Sequence, residues 1–307
     1  MIYDQETHRV IGNLGWVDKG ALWIYDERTT RESALPVGAC AYLTIKPGQK
    51  GFFRVTHHQS LGVVASVRQF SRPDYAVATL KVADAGASLS GDCSAWSNVD
   101  AYVLFQPEAA LPMLFHVNVA TGRARQLDTS WFNPDTYDLG YQSLLESITL
   151  SNGLIVISVQ RSSDLVVMDP LRNERVGTIR LAGRLGNPEL RATSQSEFIA
   201  TDYDTLCRVD VPSLRMVKSA LLQEECPYAK GGTMRQFIGD FAIRPDGKCI
   251  VARPFSSDVI LVDPVSLEIL ARAHVGGQPL AVCALADDKV LTRDWQTGDP
   301  RLVSLAA

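Results

Sequence analysis

The sequence predicts an all-β fold, a seven-bladed β-propeller of four-stranded antiparallel blades, and three observations carry that prediction. Residues 240 to 277 divide into four short strands joined by three turns, weaker copies of that unit recur along the chain, and no helical periodicity of domain length interrupts them. Glycine and proline are spread as turn residues rather than gathered in a linker, so residues 1–307 are expected to form a single propeller domain.

The clearest unit can be justified element by element. Phe241 to Arg244 is a short strand, and Pro245-Asp246-Gly247 is a turn in which proline presets φ and glycine accepts φ > 0. Lys248 to Arg253 follows as the second strand. Val259 to Val262 is an unbroken, mostly β-branched run, the pattern of a strand covered on both faces. Asp263-Pro264 stops it, because proline cannot donate to a ladder and the aspartate can accept from the turn backbone. Leu267 to Ala273 is the outer strand.

The segment PDGKCIVARPFSSDVILVDPVSLEILARAHVGGQP resembles one unit of the YVTN-type seven-bladed propellers, relatives of the WD-repeat folds. Leu165 to Leu181 and Leu206 to Leu222 are similar to parts of that unit. The resemblance implies a fold more than an activity, since propellers host enzymes and scaffolds alike.

The end of each third strand, before its turn, gives a count. Asp26, Ala83, Asn118, Asp169, Asp210, Asp263 and Ser304 are seven such marks and imply seven blades. The last unit stops three residues after its mark. Ile2 to Asp4 and Thr7 to Leu14 are expected to complete it, so that an N-terminal strand closes the ring. Little chain is left between Gly15 and Asp26 for a first blade. Six blades, or a first blade built irregularly from Val10 to Pro36, are the alternatives. Gln142 to Leu150 reads as an innermost strand, and the strand-end aspartates Asp26, Asp169, Asp210 and Asp263 read as turn caps.

Composition narrows the function classes. The 307 residues are 46% hydrophobic and carry a formal net charge of −4, which argues against a nucleic-acid partner. No apolar run is long enough for a membrane helix, so no membrane partner is expected. The start MIYDQETHRV has neither a basic beginning nor an apolar core and does not read as a signal peptide. Six cysteines without a C-x-x-C pair fit unpaired thiols in a reducing compartment, and a cytoplasmic location is expected.

The connections carry the functional expectation. The loops from second to third strand and the crossings between units, of which 128–141 and 223–235 are long, should emerge on one face. There Arg68, Arg72, Arg161, Arg253 and Arg293 are expected to line a mouth and offer forked donors to a carboxylate, phosphate or acidic partner. Phe70, Phe255, Trp295, Trp131 and Tyr228 are the candidate aromatic anchors. The competing reading pairs each arginine with a neighbouring aspartate to fix the loops. The partner is expected to be another protein or peptide.

Catalytic motifs are missing: there is no H-E-x-x-H, G-x-S-x-G or G-x-x-x-x-G-K-[ST]. No catalytic residue and no cofactor are therefore assigned. The propeller resemblance implies one alternative, a lactonase-like hydrolase holding a calcium or zinc ion on the axis, with Asn98, Glu146, Asp202 and Asp240 as candidate ligands.

Overall fold

Alternating apolar strands separated by aspartate, proline and glycine turns give antiparallel sheets joined in series. A computed structural model describes residues 1–13, 21–36, 45–48, 51–58, 64–72, 75–84, 88–95, 100–107, 113–118, 120–130, 145–151, 153–159, 163–182, 189–222, 225–227, 233–235 and 237–306. Side chains are described at 1–12, 22–35, 70–72, 75, 101–102, 113–118, 120–130, 153–158, 163–182, 189–222 and 237–306.

Six four-stranded sheets and one three-stranded sheet follow one another among these residues, each ordered as its strands occur in the chain. The first holds Ile2–Asp4, Arg9–Asn13, Ala21–Asp26 and Arg31–Pro36, and the second Ile45–Gly48, Gly51–His58, Val64–Ser71 and Ala76–Asp84. The third holds Ser88–Ala95, Asp100–Pro107, Met113–Asn118 and Arg123–Leu127, and the fourth Leu145–Ser151, Leu154–Val159, Asp164–Asp169 and Glu174–Arg180. The fifth holds Leu190–Ala192, Glu197–Asp202, Thr205–Asp210 and Arg215–Leu221, and the sixth Asp240–Ile243, Cys249–Arg253, Asp258–Val262 and Ile269–His274. The seventh has Pro279–Ala284, Lys289–Asp294 and Pro300–Ser304. The long 223–235 connection is not wholly irregular, because Glu225–Pro227 pairs with Thr233–Arg235.

Two expectations change. The N-terminal segment does not finish the last sheet: Ile2–Asp4 pairs with Arg9–Asn13, which pairs with Ala21–Asp26, so these strands begin the first sheet. That supplies the strands for which 15–26 had too little chain. Ala83 ends a fourth strand rather than a third. The third strand of the second sheet closes at Ser71 without a strand-end aspartate, so its mark was carried one strand too far.

The turn aspartates do what their type dictates. Asp263 Oδ1 accepts from the backbone N–H of Val265 and Ser266, at 2.9 and 2.6 Å, and Asp169 Oδ1 accepts from Leu171 and Arg172. Asp26 does the same toward Arg28 and Thr29, and Asn118 toward Thr121.

The chain divides into two compact units, Met1–Gln160 with Val166–Gly177, and Arg161–Leu165 with Thr178–Ala307. In the second unit the two faces of the sixth sheet go to different neighbours. Val251, Ile260 and Val262 pack with Ile199 and Leu206 of the fifth sheet, while Ile250, Ala252, Val259 and Leu261 pack with Val282 and Val290 of the seventh. The two-residue period of a strand makes this sorting automatic. Each such aliphatic side chain, fully buried, contributes about 1.5–3 kcal/mol. The outer strand Ile269–His274 keeps only alternate residues half-buried. In the first unit Ile11, Leu22, Ile24, Phe70 and Tyr75 form the core between the first two sheets. No helix among the described residues is long and apolar enough to cross a membrane.

Candidate functional site

Three consecutive sheets of the second unit turn from second to third strand through short loops at the same sheet end. Tyr203 sits at the corner of the first loop with φ of 58°, between Asp202 and Thr205. The second loop is a 3-10 turn, Pro254–Ser256, closed by Ser257 in the left-handed region at φ 54°. The third carries Trp295 directly after Asp294. Phe237 arrives from the crossing before the sixth sheet, held where Ile238 N–H donates to Tyr203 O at 2.7 Å.

These loops bring four aromatic rings together. Phe237 lies 5.4 Å from Phe255 and 5.7 Å from Trp295 between centroids, and Phe255 lies 6.0 Å from Trp295. The three ring planes meet at 82°, 70° and 89°. Tyr203 adds a tilted ring 6.4 Å from Phe237. Phe255 is 38% exposed and Trp295 46%, so the cluster is packed on its inner side and open on its outer side. Exposed large apolar groups gathered in one place, unlike single scattered ones, mark an interaction surface.

Polar groups beneath hold the loops. Asp294 Oδ1 accepts from Gln296 and Thr297 N–H at 2.8 and 2.9 Å, and Oδ2 from Gln278 N–H at 2.7 Å. Burial pushes this carboxyl up, but the backbone donors of Thr297, Gln278 and Gln296 outweigh it and hold it below the ordinary carboxylate range. Trp295 N–H donates to Gln278 O at 2.8 Å, which ties the tryptophan's backbone to the entry of the seventh sheet. Gly239 allows the close approach behind Phe237, since a Cβ there would come within 2.9 Å of Leu280 O and Pro254 Cγ.

The arginines are placed differently from the expected mouth. Arg253 is only 2% exposed: Nε and Nη2 donate to the two Asp258 oxygens at 2.8 and 2.6 Å, and Nη1 donates to Leu222 O at 2.7 Å. Its donors serve the fold and do not point to solvent. Arg272 also contacts the Asp258 carboxylate. Arg72 follows the third strand of the second sheet, at the other strand end from a second-to-third loop, and donates to Asp4 Oδ1 at 2.7 Å and Glu6 Oε1 at 3.1 Å. Phe70 is a core residue with no exposure. Arg293 is half-buried and its Nε donates to Gly298 O at 2.8 Å. The backbone of Arg68 lies within the third strand of the second sheet, and its side chain is outside the described residues. Arg161, Trp131 and Tyr228 fall outside the described residues altogether.

Of the candidate metal ligands, Asn98 and the Glu146 side chain fall outside the described residues. Asp202 is fully buried. Asp240 is used within the fold: Oδ1 accepts from Phe241 N–H and Arg191 Nη2, and Oδ2 from Val282 N–H at 2.9 Å. Beside it Glu189 is raised to about 7, first by desolvation and then by the Asp240 charge, against the pull of Arg191. Among the described residues no group of three histidine, cysteine, aspartate or glutamate side chains is set to hold a metal ion.

Phe255 and Trp295 were legible as loop aromatics. Phe237 was missed because it falls between the 223–235 connection and the unit that begins at Asp240, and neither reading took it in. An aromatic two residues before Gly239, at the end of a long crossing, is the signal that marks it.

No protein-family model matches the chain, and no curated protein matches it in sequence. Solved structures do match. The β-propeller domain of Cps50 (Swd1) from Myceliophteria thermophila superposes with a TM-score of 0.69 over 99% of this chain and 96% of that one, at 12% identity. A chain of a mitotic checkpoint complex gives 0.61 over 85% of this chain and 73% of that one, at 10% identity. Identity this low carries architecture and no activity. Together with the seven successive antiparallel sheets, these likenesses establish the fold of the chain as an all-β propeller.

Proposed function

We propose that this propeller is a protein-interaction module that captures a segment of another protein on the open side of the Phe237, Phe255 and Trp295 cluster. The carrying observation is the exposure of Phe255 and Trp295 within one contiguous aromatic group, on loops held from beneath by one buried ion pair, Arg253 with Asp258, and by the turn hydrogen bonds of Asp294. Aromatic anchors on a rigid support bind well because little side-chain freedom is lost when they are covered. One structural neighbour belongs to a multi-protein checkpoint assembly, which accords with a scaffold role here. The buried, unbridged thiols of Cys207, Cys249 and Cys283 accord with a reducing, cytoplasmic compartment.

The test is comparative capture from native lysate with two baits, the wild type and a Phe255→Ala, Trp295→Ala double variant verified to be folded at the capture temperature. A protein held by the wild type and released by the variant is the expected result. Equal retention of every captured protein by both baits overturns this face as the docking surface.

A further inference from the structure

The turn tips that carry Phe255 and Trp295 are uncharged where solvent reaches them. Their exposed and half-exposed residues are Phe255, Ser256 and Ser257 on the sixth sheet and Trp295, Gln296 and Thr297 on the seventh. The segment from Gly276 to Gln278, which holds the Trp295 backbone, adds no charge either. The ionised groups at the roots of these tips are buried and matched within the fold. Arg253 and Arg272 both close on Asp258, and Asp294 accepts from the backbone N–H of Gln278, Gln296 and Thr297 beside the Arg301 guanidinium. Asp299 is exposed on the far limb of the third loop, past Gly298.

A charged side chain laid on Phe255 and Trp295 would therefore lose water without gaining a counter-charge, a cost that an apolar side chain does not meet. Apolar contact there is favourable, because both rings keep a large exposed area. The same tips offer one polar fixture. Gln296 Nε2 donates to Gln278 Oε1 at 3.2 Å, in an exposed pair that follows directly after Trp295. A carboxamide has one acceptor oxygen and two N–H donors, so the pair still has Gln296 Oε1 to accept and Gln278 Nε2 to donate. An extended backbone presents the N–H and C=O of one residue on the same side, which is the complement of that set.

From these observations we propose that the segment docking on this face is extended and uncharged, lays a large aliphatic or aromatic side chain against Phe255 and Trp295, and pairs its backbone N–H and C=O with the Gln278 and Gln296 amides. This rests on the docking reading above and replaces the acidic partner that an arginine-lined mouth implies.

The test uses a phage-displayed random peptide library, panned on the whole chain and on a Phe255→Ala, Trp295→Ala variant verified to be folded. Peptides enriched on the wild type and not on the variant should share one large apolar residue within an uncharged stretch. Their synthetic forms should bind with an affinity that changes less than about twofold between about 50 and about 500 mM sodium chloride. Gln296→Ala, an exposed change that leaves both rings in place, should weaken them by about fivefold. Ring-dependent peptides that are charged, with affinity falling more than about tenfold over that salt range, overturn the uncharged segment and leave the docking reading in place. Equal binding to Gln296→Ala overturns the backbone pairing. No ring-dependent enrichment overturns an extended segment as the occupant, and the capture experiment then decides the docking face on its own.

Discussion

Arg253 and Asp258 face each other across the tip of the sixth sheet's central hairpin, joined by two parallel hydrogen bonds of 2.8 and 2.6 Å at 2% and 0% side-chain exposure. The hairpin pairs their backbones as well, Arg253 against Asp258. The pair therefore frames the loop that carries Phe255, and the third arginine donor reaches back to Leu222 O.

Breaking that pair should be costly. Arg253→Met leaves the buried Asp258 with only the half-exposed Arg272 as a counter-charge and removes the donor to Leu222 O, so it should lower unfolding stability by about 3 kcal/mol. Arg272→Ala, at 51% exposure on the same carboxylate, should cost no more than about 1 kcal/mol. Urea unfolding of both variants checks this. Equal, small losses would show that the buried geometry contributes little.

The aromatic patch should behave in the opposite way. Phe255→Ala and Trp295→Ala remove edge-to-face contacts worth about 0.5–1.5 kcal/mol per pair from partly exposed rings, so each should shift stability by about 1–2 kcal/mol. Affinity for a captured partner should fall by about 2 kcal/mol or more, as hot-spot truncations do. Unfolding midpoints and titration calorimetry separate the two effects. A loss of stability without a loss of affinity would make the rings loop packing.

Acid should unfold the protein partly through its turn aspartates. Asp26 and Asp263 are held below the ordinary carboxyl range, chiefly by the backbone N–H of Thr29 and of Ser266 respectively. A carboxyl with a lower pKa folded than unfolded stabilises the fold above its unfolded value near 3.9, and that contribution is lost as pH falls through the folded value. The contribution of these two caps to Tm should be constant above about pH 5 and fall away below about pH 4. Asp26→Asn with Asp263→Asn keeps the acceptor, as Asn118 does toward Thr121, and removes the titration. The fall should then be shallower in calorimetric scans. An identical acid slope would put the titration elsewhere.

The described thiols should be silent in the folded state. Burial pushes Cys207 up to about 11, and Cys249 and Cys283 up to about 12, so thiolate is scarce at neutral pH and no reagent reaches it. At least three of the six cysteines should stay unreacted toward an aromatic disulfide reagent until denaturant is added. Reaction of more than three in buffer alone would contradict the burial.

Gly277 should be intolerant of any side chain, although its own backbone is ordinary. A Cβ there would fall on Asp294 Oδ2 and lie 3.2 Å from the Arg301 guanidinium. Gly277→Ala should lower Tm by several degrees, by displacing the carboxylate that fixes the Trp295 turn, and should blue-shift or red-shift Trp295 emission relative to wild type. An unchanged Tm and spectrum would show the turn yields freely.

By itself the sequence determined what short-range chemistry controls. Pro245-Asp246-Gly247 made a turn, Val259 to Val262 made a strand buried on both faces, and Asp26, Asp169 and Asp263 capped their turns, because each depends on φ preference, alternation or an acceptor two or three residues from its donor. Six of the seven strand-end marks, all but Ala83, fall at the ends of third strands. Tertiary structure decided the rest. It alone placed Ile2–Asp4 in the first sheet, since a three-residue strand suits several edges equally. It alone buried Arg253 against Asp258 and brought Phe237 to Phe255 and Trp295, because those meetings depend on how neighbouring sheets stack rather than on any local pattern. An exposed arginine and a buried one are spelled alike, and what separates them is whether the next sheet covers the guanidinium and supplies a carbonyl such as Leu222 O.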